Sequence, residues 1–346
     1  MTATGEPARS DPSAPGLARR RCGRGWRYLE PDGRPLTDPE EIARIKALVI
    51  PPAWKDVWIC PDPAGHIQAV GVDAAGRRQY LYHPAWREHR DREKHDRVLD
   101  LAERLPAARE RLAADLALRG YPRERVLAAG LRLIDLGFFR IGGEEYAAEN
   151  GTYGVATVLR EHVTCRRDEI VFEYPAKGSK ERHQSIAEES VRKVVAGLKR
   201  RADDGPGLLA YRTARGWHDV TTTDVNEYIH EVTGGDFTAK DFRTWHATVL
   251  AAVGLAVSTR AAGSETRRRQ AVSRVVKETA AYLGNTPAVA RASYIDPRVI
   301  ELYEEGRTIA PALTELGVDV EEGELATQGA VEKAVLRLLR GARPAR

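Results

Sequence analysis

The segment from Thr238 to Arg243 combines the features of an anion-binding helix start. Thr238 and Asp241 have the [ST]-x-x-[DE] spacing of a capping box, which predicts that a helix begins here. Lys240 and Arg243 would then lie in its first turns, where backbone N–H groups, the helix dipole and two cations surround one anion. An ordinary capped helix with solvated charges has the same pattern, so this segment alone does not decide between the two.

A second segment, residues 281–296, places an amide and a phenol after a helix junction. Gly284 is predicted to end one helix, and Thr286 and Pro287 to begin the next. Asn285 is then held at the junction, and Tyr294 follows nine residues later (294 − 285 = 9). A single tyrosine is usually a packed aromatic. The phrase Leu-Gly-Asn-Thr-Pro with a later tyrosine is nevertheless specific when an arginine-bearing helix start precedes it.

The elements that must position these residues differ between the two ends of the chain. Residues 26–86 alternate short apolar runs with turn signals, which is typical of a small antiparallel sheet. One later stretch, Glu169–Tyr174 followed by Glu181–Ser185, predicts a β-hairpin whose tip carries Lys177 and Lys180. From about residue 90 the apolar spacing is helical, with candidate helices over 94–103, 107–118, 124–139, 187–201, 224–232, 239–257, 267–283 and 329–340.

These patterns predict an α+β protein in three parts. Residues 1–20 are expected to form a disordered tail, since residues 1–17 are rich in Ala, Pro, Ser and Gly and lack the apolar stretch of a secretory signal. Residues 21–90 are expected to form a small β-rich domain, and residues 91–346 a larger, mainly helical domain that contains the β-hairpin.

The composition excludes several classes of protein. With 42% hydrophobic and 30% charged residues among 346, a soluble globular chain is expected, without a membrane span. There is no P-loop, H-E-x-x-H, paired D-x-D or G-x-S-x-G motif, so ATP-driven, zinc, two-metal and serine-hydrolase chemistries lack support. Three scattered cysteines predict a reducing compartment. A net charge of +4, with 44 arginines among 54 basic residues, favours a polyanionic partner.

Taken together, several motifs resemble the type IB DNA topoisomerases, in particular the poxvirus-like bacterial family. The pair Arg-Thr-Trp-His-Ala-Thr and Leu-Gly-Asn-Thr-Pro…Ser-Tyr resembles the catalytic region that these enzymes share with tyrosine recombinases. Residues 138–154 resemble the segment of the first catalytic arginine, and residues 50–59 and 76–84 resemble the N-terminal domain. The resemblance runs from about Gly25 to the C-terminal helices, with the motifs in the right order.

The resemblance implies a role for each matching catalytic position. Tyr294 matches the nucleophile that attacks a backbone phosphorus and forms a 3′-phosphotyrosyl bond. Arg140 and Arg243 match the arginines that hold the nonbridging oxygens, and Lys177 matches the general acid for the leaving 5′ oxygen. Asn285 stands where the family more often has His; its amide can donate a hydrogen bond but carries no titratable charge.

Further positions are implied to assist or to contact DNA. Lys240, three residues before Arg243, could assist proton transfer. Gln79, Tyr80 and Tyr82 match DNA-contacting positions of the N-terminal sheet, although each tyrosine could equally be an ordinary strand aromatic. Tyr146 matches a residue near the recognition helix.

The resemblance also implies the architecture and the partners. It predicts a monomeric, C-shaped clamp around duplex DNA in the cytoplasm, associated with the nucleoid, that relaxes supercoils by cutting, rotating and resealing one strand. Neither ATP nor a metal ion is expected to be required, while Mg²⁺ is expected to stimulate turnover by competing for phosphates. A tyrosine recombinase and a noncatalytic DNA-binding protein are the two alternatives. The strand-rich residues 26–86 argue against the first, and the presence of Arg140, Lys177, Arg243 and Tyr294 argues against the second.

Overall fold

The computed structural model describes residues 7–136, 139–176, 180–258, 264–316 and 328–342. The chain divides into two compact units, Met1–Lys94 and His95–Arg346, which we call the N-terminal and C-terminal units. This division lies close to the boundary predicted near residue 90. Within the described ranges, no helix is long and apolar enough to cross a bilayer.

The N-terminal unit is built on an antiparallel sheet of five strands in the order β2-β1-β3-β4-β5. One helix, α1 (Pro39–Ala47), packs its Ile45 into the sheet's core beside Ile59 and Ala69. Asp38 caps this helix by accepting a hydrogen bond from the Glu40 N–H at 2.9 Å. The strands are β1 (Leu17–Cys22), β2 (Gly25–Leu29), β3 (Lys55–Ile59), β4 (Ile67–Val72) and β5 (Arg78–Tyr82).

Strand β1 corrects the predicted extent of the tail. Residues 17–20 were expected to be disordered, but residues 18–20 pair with β2, and Leu17 and Ala18 pair with β3. Leu17 is buried in the core, and the Arg19 guanidinium donates hydrogen bonds to backbone carbonyls, among them that of Ile50 at 3.0 Å. The local composition hides this strand because Leu17 and Ala18 are held by β3, which lies about 40 residues further along the chain. Residues 1–6 lie outside the described part.

The C-terminal unit is mainly helical. Its helices are α2 (Pro84–Leu116, which begins in the N-terminal unit), α3 (Arg123–Asp135), α4 (Glu144–Asn150), α5 (Glu189–Lys199), α6 (Thr222–Thr233), α7 (Ala239–Ser258), α8 (Glu265–Leu283), α9 (Pro287–Ser293), α10 (Pro297–Glu304), α11 (Ala310–Leu316) and α12 (Ala330–Gly341). The predicted helices agree with α5–α8 and α12 to within two residues at each end.

Two predicted helix boundaries are wrong. The helices expected over 94–103 and 107–118 are one helix, α2, with Pro106 in its interior. A proline costs about 3 kcal/mol in a helix interior, but Leu101, Leu105 and Ala108 around it are fully buried, and this packing keeps the helix continuous. Helix α3 ends at Asp135 rather than at 139, with Leu136 as its C-cap.

The predicted β-hairpin is present in the C-terminal unit. Strands β7 (Ile170–Ala176) and β8 (Lys180–Ile186) form it, and β6 (Val163–Cys165) adds a third strand beside β7. Phe172 and Tyr174 face the core, where both rings contact Phe139. A small separate hairpin joins β9 (Ala210–Thr213) to β10 (Gly216–Asp219).

Candidate active site

Helix α7 carries one arginine of the candidate site into the interior. Asp241 accepts hydrogen bonds from the Thr238 N–H (2.9 Å) and hydroxyl (3.0 Å), so the predicted helix start is confirmed. Arg243 follows on the buried face, only 4% exposed. Its guanidinium donates hydrogen bonds to the carbonyls of Leu283 (2.9 Å) and Phe139 (3.4 Å). The side chain is therefore held from two directions.

Arg140 enters the site from an irregular segment that is fastened through its backbone. Its carbonyl accepts a hydrogen bond from the Val155 N–H at 2.9 Å, next to a close approach of Gly142 and Gly154. A Cβ on Gly154 would lie 2.3 Å from the Gly142 nitrogen and 2.7 Å from the Arg140 oxygen. Since no real side chain tolerates such distances, this approach requires glycine.

The junction between α8 and α9 has the predicted construction. Gly284 ends α8 in the left-handed region (φ 65°), and Pro287 opens α9 with Thr286 as its N-cap. Asn285 lies between the two helices. Its Oδ1 accepts a hydrogen bond from Arg140 Nη2 at 2.6 Å, which brings these two predicted site residues into direct contact.

Tyr294 ends α9 beside the arginine cluster. The Arg243 Cζ lies 5.7 Å from the centre of the Tyr294 ring. The tyrosine's carbonyl accepts a hydrogen bond from the Thr248 hydroxyl at 3.3 Å, which ties its backbone to α7, the helix that carries Arg243. Helix α7 thus carries Arg243 and also holds the backbone of the candidate nucleophile, Tyr294.

The cluster changes the acidity of its members. Burial and the neighbouring Arg140 charge lower the pKa of Arg243 to about 10, so it stays a cation at neutral pH. Burial alone would raise the pKa of Tyr294. The charges of Arg243, Arg140 and Lys240 outweigh this effect and lower it below its ordinary value of 10. The neighbouring cations therefore stabilise the phenolate form of Tyr294 more than burial destabilises it.

Two cavities meet at the arginines. The first, of about 240 Å³, is lined by Tyr294, Lys240, Arg140 and Arg243, with the Lys240 side chain exposed at its edge. The second, of about 310 Å³, shares Arg140 and Arg243 and is also lined by Asn285. Two large cationic side chains thus border both spaces.

Two hydrogen-bond donors in the cluster are buried without an acceptor. Within the ranges that the structure covers, Arg243 Nε and Asn285 Nδ2 have no partner. A buried unsatisfied donor costs about 1–3 kcal/mol, and an anion oxygen would satisfy both atoms. The site is therefore suited to an oxyanion such as a phosphodiester.

The remaining predicted positions have different surroundings. Lys177 lies outside the described residues, as does the side chain of Tyr146 on α4. Tyr80 and Tyr82 are exposed on the edge strand β5, with ring centres 6.0 Å apart. Gln79 alternates to the other face of β5 and donates a hydrogen bond to Asp73 at 2.9 Å.

One cationic neighbour was missed by the sequence analysis. Arg182 on β8 pairs with Tyr174 across the hairpin and lines the second cavity. A signal for it was available, because strand alternation puts Arg182 on the inner face with Phe172 and Tyr174, where an arginine is unusual.

No metal centre accompanies these residues in the described ranges. No group of three His, Cys, Asp or Glu side chains there has an arrangement that could hold a metal ion.

Comparison with known proteins identifies the family. A family model described as the catalytic core of eukaryotic DNA topoisomerase I matches residues 83–311, well over half of the chain. A second, for the N-terminal domain of bacterial DNA topoisomerase IB, matches residues 25–73.

Viral enzymes are among the similar sequences. The chain is 30% identical over 297 residues to DNA topoisomerase 1B of Acanthamoeba polyphaga mimivirus, covering 84% of this chain and 88% of that protein. It is 22% identical over 239 residues to DNA topoisomerase 1B of vaccinia virus (strain Copenhagen), covering 68% and 72%. With the family match over residues 83–311, these similarities show that the chain belongs to the type IB DNA topoisomerases.

Proposed function

We propose that the protein relaxes supercoiled duplex DNA through a covalent 3′-phosphotyrosyl intermediate on Tyr294. The family supports DNA relaxation as the activity. The observation that carries the proposed mechanism is the convergence of Arg140, Arg243 and Asn285 beside Tyr294, with the pKa of the phenol lowered by the two arginines.

The proposed cleavage step balances as a transesterification. The phenolate oxygen of Tyr294 attacks the phosphorus, a new P–O bond forms, and the bond to the 5′ oxygen breaks. That oxygen takes a proton, for which Lys177 is the proposed donor and Lys240 a proposed assistant. Arg140 and Arg243 would bind the nonbridging oxygens, where negative charge concentrates in the transition state.

The buried donors support the same assignment. Arg243 Nε and Asn285 Nδ2, unpartnered among the described side chains, would each gain an acceptor when a phosphate enters. Positioned guanidinium groups could thereby do the electrostatic work that a metal ion does in other phosphoryl-transfer enzymes.

Energy conservation explains why no ATP should be needed. The phosphotyrosyl bond replaces one phosphodiester by another, so resealing by the 5′-OH reverses the first step. Supercoil strain would drive strand rotation between the two steps. We propose that no metal ion is obligatory, and that Mg²⁺ stimulates turnover by competing for DNA phosphates.

The two units are proposed to act together as a monomeric, C-shaped clamp around the duplex. Tyr80 and Tyr82, exposed side by side on β5, would contact DNA from the N-terminal unit, with Gln79 and Tyr146 as further proposed contacts. Such binding would associate the protein with the nucleoid.

Plasmid relaxation tests the proposed function. The purified protein is mixed with negatively supercoiled plasmid in EDTA without ATP, beside Tyr294→Phe. We expect a ladder of topoisomers with the wild type and none with the variant. Equal relaxation by both proteins would exclude Tyr294 as the nucleophile, and a wild type that relaxes plasmid only with added Mg²⁺ would exclude metal independence.

A further inference from the structure

The C-terminus of α8 holds three arginines that come from three different elements. Its last carbonyls, at consecutive positions, each accept a hydrogen bond from one guanidinium. The pairs are Arg182 Nη2 with Tyr282 O (3.0 Å), Arg243 Nη2 with Leu283 O (2.9 Å) and Arg140 Nη2 with Gly284 O (3.3 Å).

The way in which α8 ends makes these carbonyls available. The N–H groups of Gly284 and Asn285 turn back onto the carbonyls of Ala280 and Ala281. The next three carbonyls have no N–H donor from the helix. They carry the negative end of the helix dipole, which offsets part of the repulsion among three cations. Arg182 is therefore a member of the same cluster as the two predicted catalytic arginines.

The two cavities share two arginines of the cluster but differ in their other lining residues. Arg140 and Arg243 border both cavities, whereas Tyr294 lines only the first and Arg182 only the second. Three arginines and one acid, Glu181, supply the formal charges that line the second cavity, a balance of +2 (3 − 1). This cavity is suited to an anion, and it shares Arg140 and Arg243 with the cavity that Tyr294 lines.

The geometry of in-line displacement relates the second cavity to the strand that leaves with the 5′-OH. The attacking and leaving oxygens of a phosphoryl transfer lie on opposite sides of the phosphorus. If Tyr294 attacks from the first cavity, the strand that departs with the 5′-OH leaves toward the second. Arg182 lines this second cavity, on the side where that strand would leave.

We propose that Arg182 binds the first DNA phosphate downstream of the cleavage site, on the strand that carries the 5′-OH. This inference rests on the proposed function, in which Tyr294 attacks the scissile phosphate. The contact holds the cut strand near the phosphotyrosyl bond, so its largest effect is on resealing.

Resealing kinetics with a modified strand test the proposal. The covalent complex is formed on a duplex with a mapped cleavage site and chased with 5′-OH acceptor strands. One acceptor has normal phosphates, and one has a neutral methylphosphonate at its first linkage. We expect Arg182→Gln to reseal the normal acceptor about tenfold more slowly, the loss of one charge-assisted hydrogen bond. With the neutral acceptor, the wild type should slow by a similar factor and the variant should slow no further.

Two variants separate this role from others. Arg182→Lys keeps the charge and should restore part of the resealing rate. Arg337→Gln removes an exposed charge on α12 that lines neither cavity and should leave the rate unchanged. If Arg182→Gln slows both acceptors equally, Arg182 only positions Arg140 and Arg243, and the proposal is wrong.

A binding measurement keeps this test apart from that of the proposed function. With Tyr294→Phe as background, Arg182→Gln should lower the slope of log affinity against log salt by about 0.9, the value for one phosphate contact. An unchanged slope overturns the proposal. A lowered slope in a protein whose wild type forms no covalent complex would reject the mechanism at Tyr294 and keep the phosphate contact.

Discussion

Arg140 and Asn285 form one unit, in which Arg140 Nη2 donates to Asn285 Oδ1 over 2.6 Å. Because Oδ1 is occupied by the guanidinium, the amide presents Nδ2 as its donor, and this atom has no acceptor among the described residues. Asn285 therefore contacts Arg140 through Oδ1, and we propose that its Nδ2 donates a hydrogen bond to an incoming phosphate. A histidine performs both tasks only with one ring nitrogen unprotonated.

Substitution of Asn285 should separate these tasks. In Asn285→Asp, the carboxylate still accepts from Arg140 but loses the Nδ2 donor and places a negative charge beside the phosphate. We expect single-turnover cleavage to fall by about 100-fold or more, with little change in thermal stability. Cleavage within a factor of about 3 of wild type would contradict a phosphate contact by Nδ2.

Asn285→His should be active with a new pH dependence. The neutral imidazole can accept from Arg140 through one nitrogen and donate through the other, whereas the imidazolium has no acceptor for Arg140 and repels its charge. Activity should therefore fall as the pH drops through the histidine pKa. This fall adds an acidic limb to the pH–rate profile that the wild type lacks. The measurement is the cleavage rate from pH 5 to 9. A loss as complete as that of Tyr294→Phe would refute this prediction.

The lowered pKa of Tyr294 predicts how Lys240 affects the pH profile. Burial raises this pKa, but the charges of Arg243, Arg140 and Lys240 have the larger, opposite effect, so the pKa lies below its ordinary value of 10. The cleavage rate should rise with pH as the phenolate forms. In Lys240→Gln the phenol pKa moves up, so the rising limb should shift to higher pH.

Lys277→Gln, which removes an exposed charge on α8, is the matched control and should leave the limb in place. Superimposable profiles for Lys240→Gln and wild type would show that Lys240 does not act on the nucleophile.

Gly154→Ala should damage the site without unfolding the protein. The added methyl group would meet the backbone of Gly142 and the carbonyl of Arg140 at less than 3 Å, so the segment that carries Arg140 must shift. A displacement of about 1 Å in a positioning residue can cost about 100-fold in rate. We expect that loss in cleavage with duplex affinity nearly retained, while Gly341→Ala, in open space, should be silent. Normal cleavage by Gly154→Ala would mean that Arg140 does not depend on this backbone contact.

A buried carboxylate connects the last helix to the helix of Arg243. Glu332 on α12 accepts hydrogen bonds from Trp245 Nε1 (2.7 Å) and Arg109 Nη2 (3.0 Å). Removing one partner of a buried ion pair costs about 3–5 kcal/mol. We expect Glu332→Gln to lower the free energy of unfolding in urea by about 3 kcal/mol, against about 0.5 kcal/mol or less for the exposed Glu304→Gln. Equal effects would show that the network does not anchor α12.

Local chemistry in the sequence was enough to predict much of the site. The capping pair Thr238 and Asp241 determines where α7 begins, and Gly284 with Pro287 determines the junction that holds Asn285. Such signals act over a few residues, so they can be recognised without the fold. The alternation of Phe172 and Tyr174 predicted the hairpin for the same reason.

Contacts between distant segments were decided only by the tertiary structure. Pro106 stays within a helix because buried neighbours pack around it, and the start of β1 is held in place because Leu17 and Ala18 pair with the distant strand β3. The sequence by itself determined the residue types of the site and the helix ends that present them. Only the folded chain brought Arg140, Arg182 and Arg243 onto three consecutive carbonyls, since elements up to about 140 residues apart must meet to satisfy one helix end.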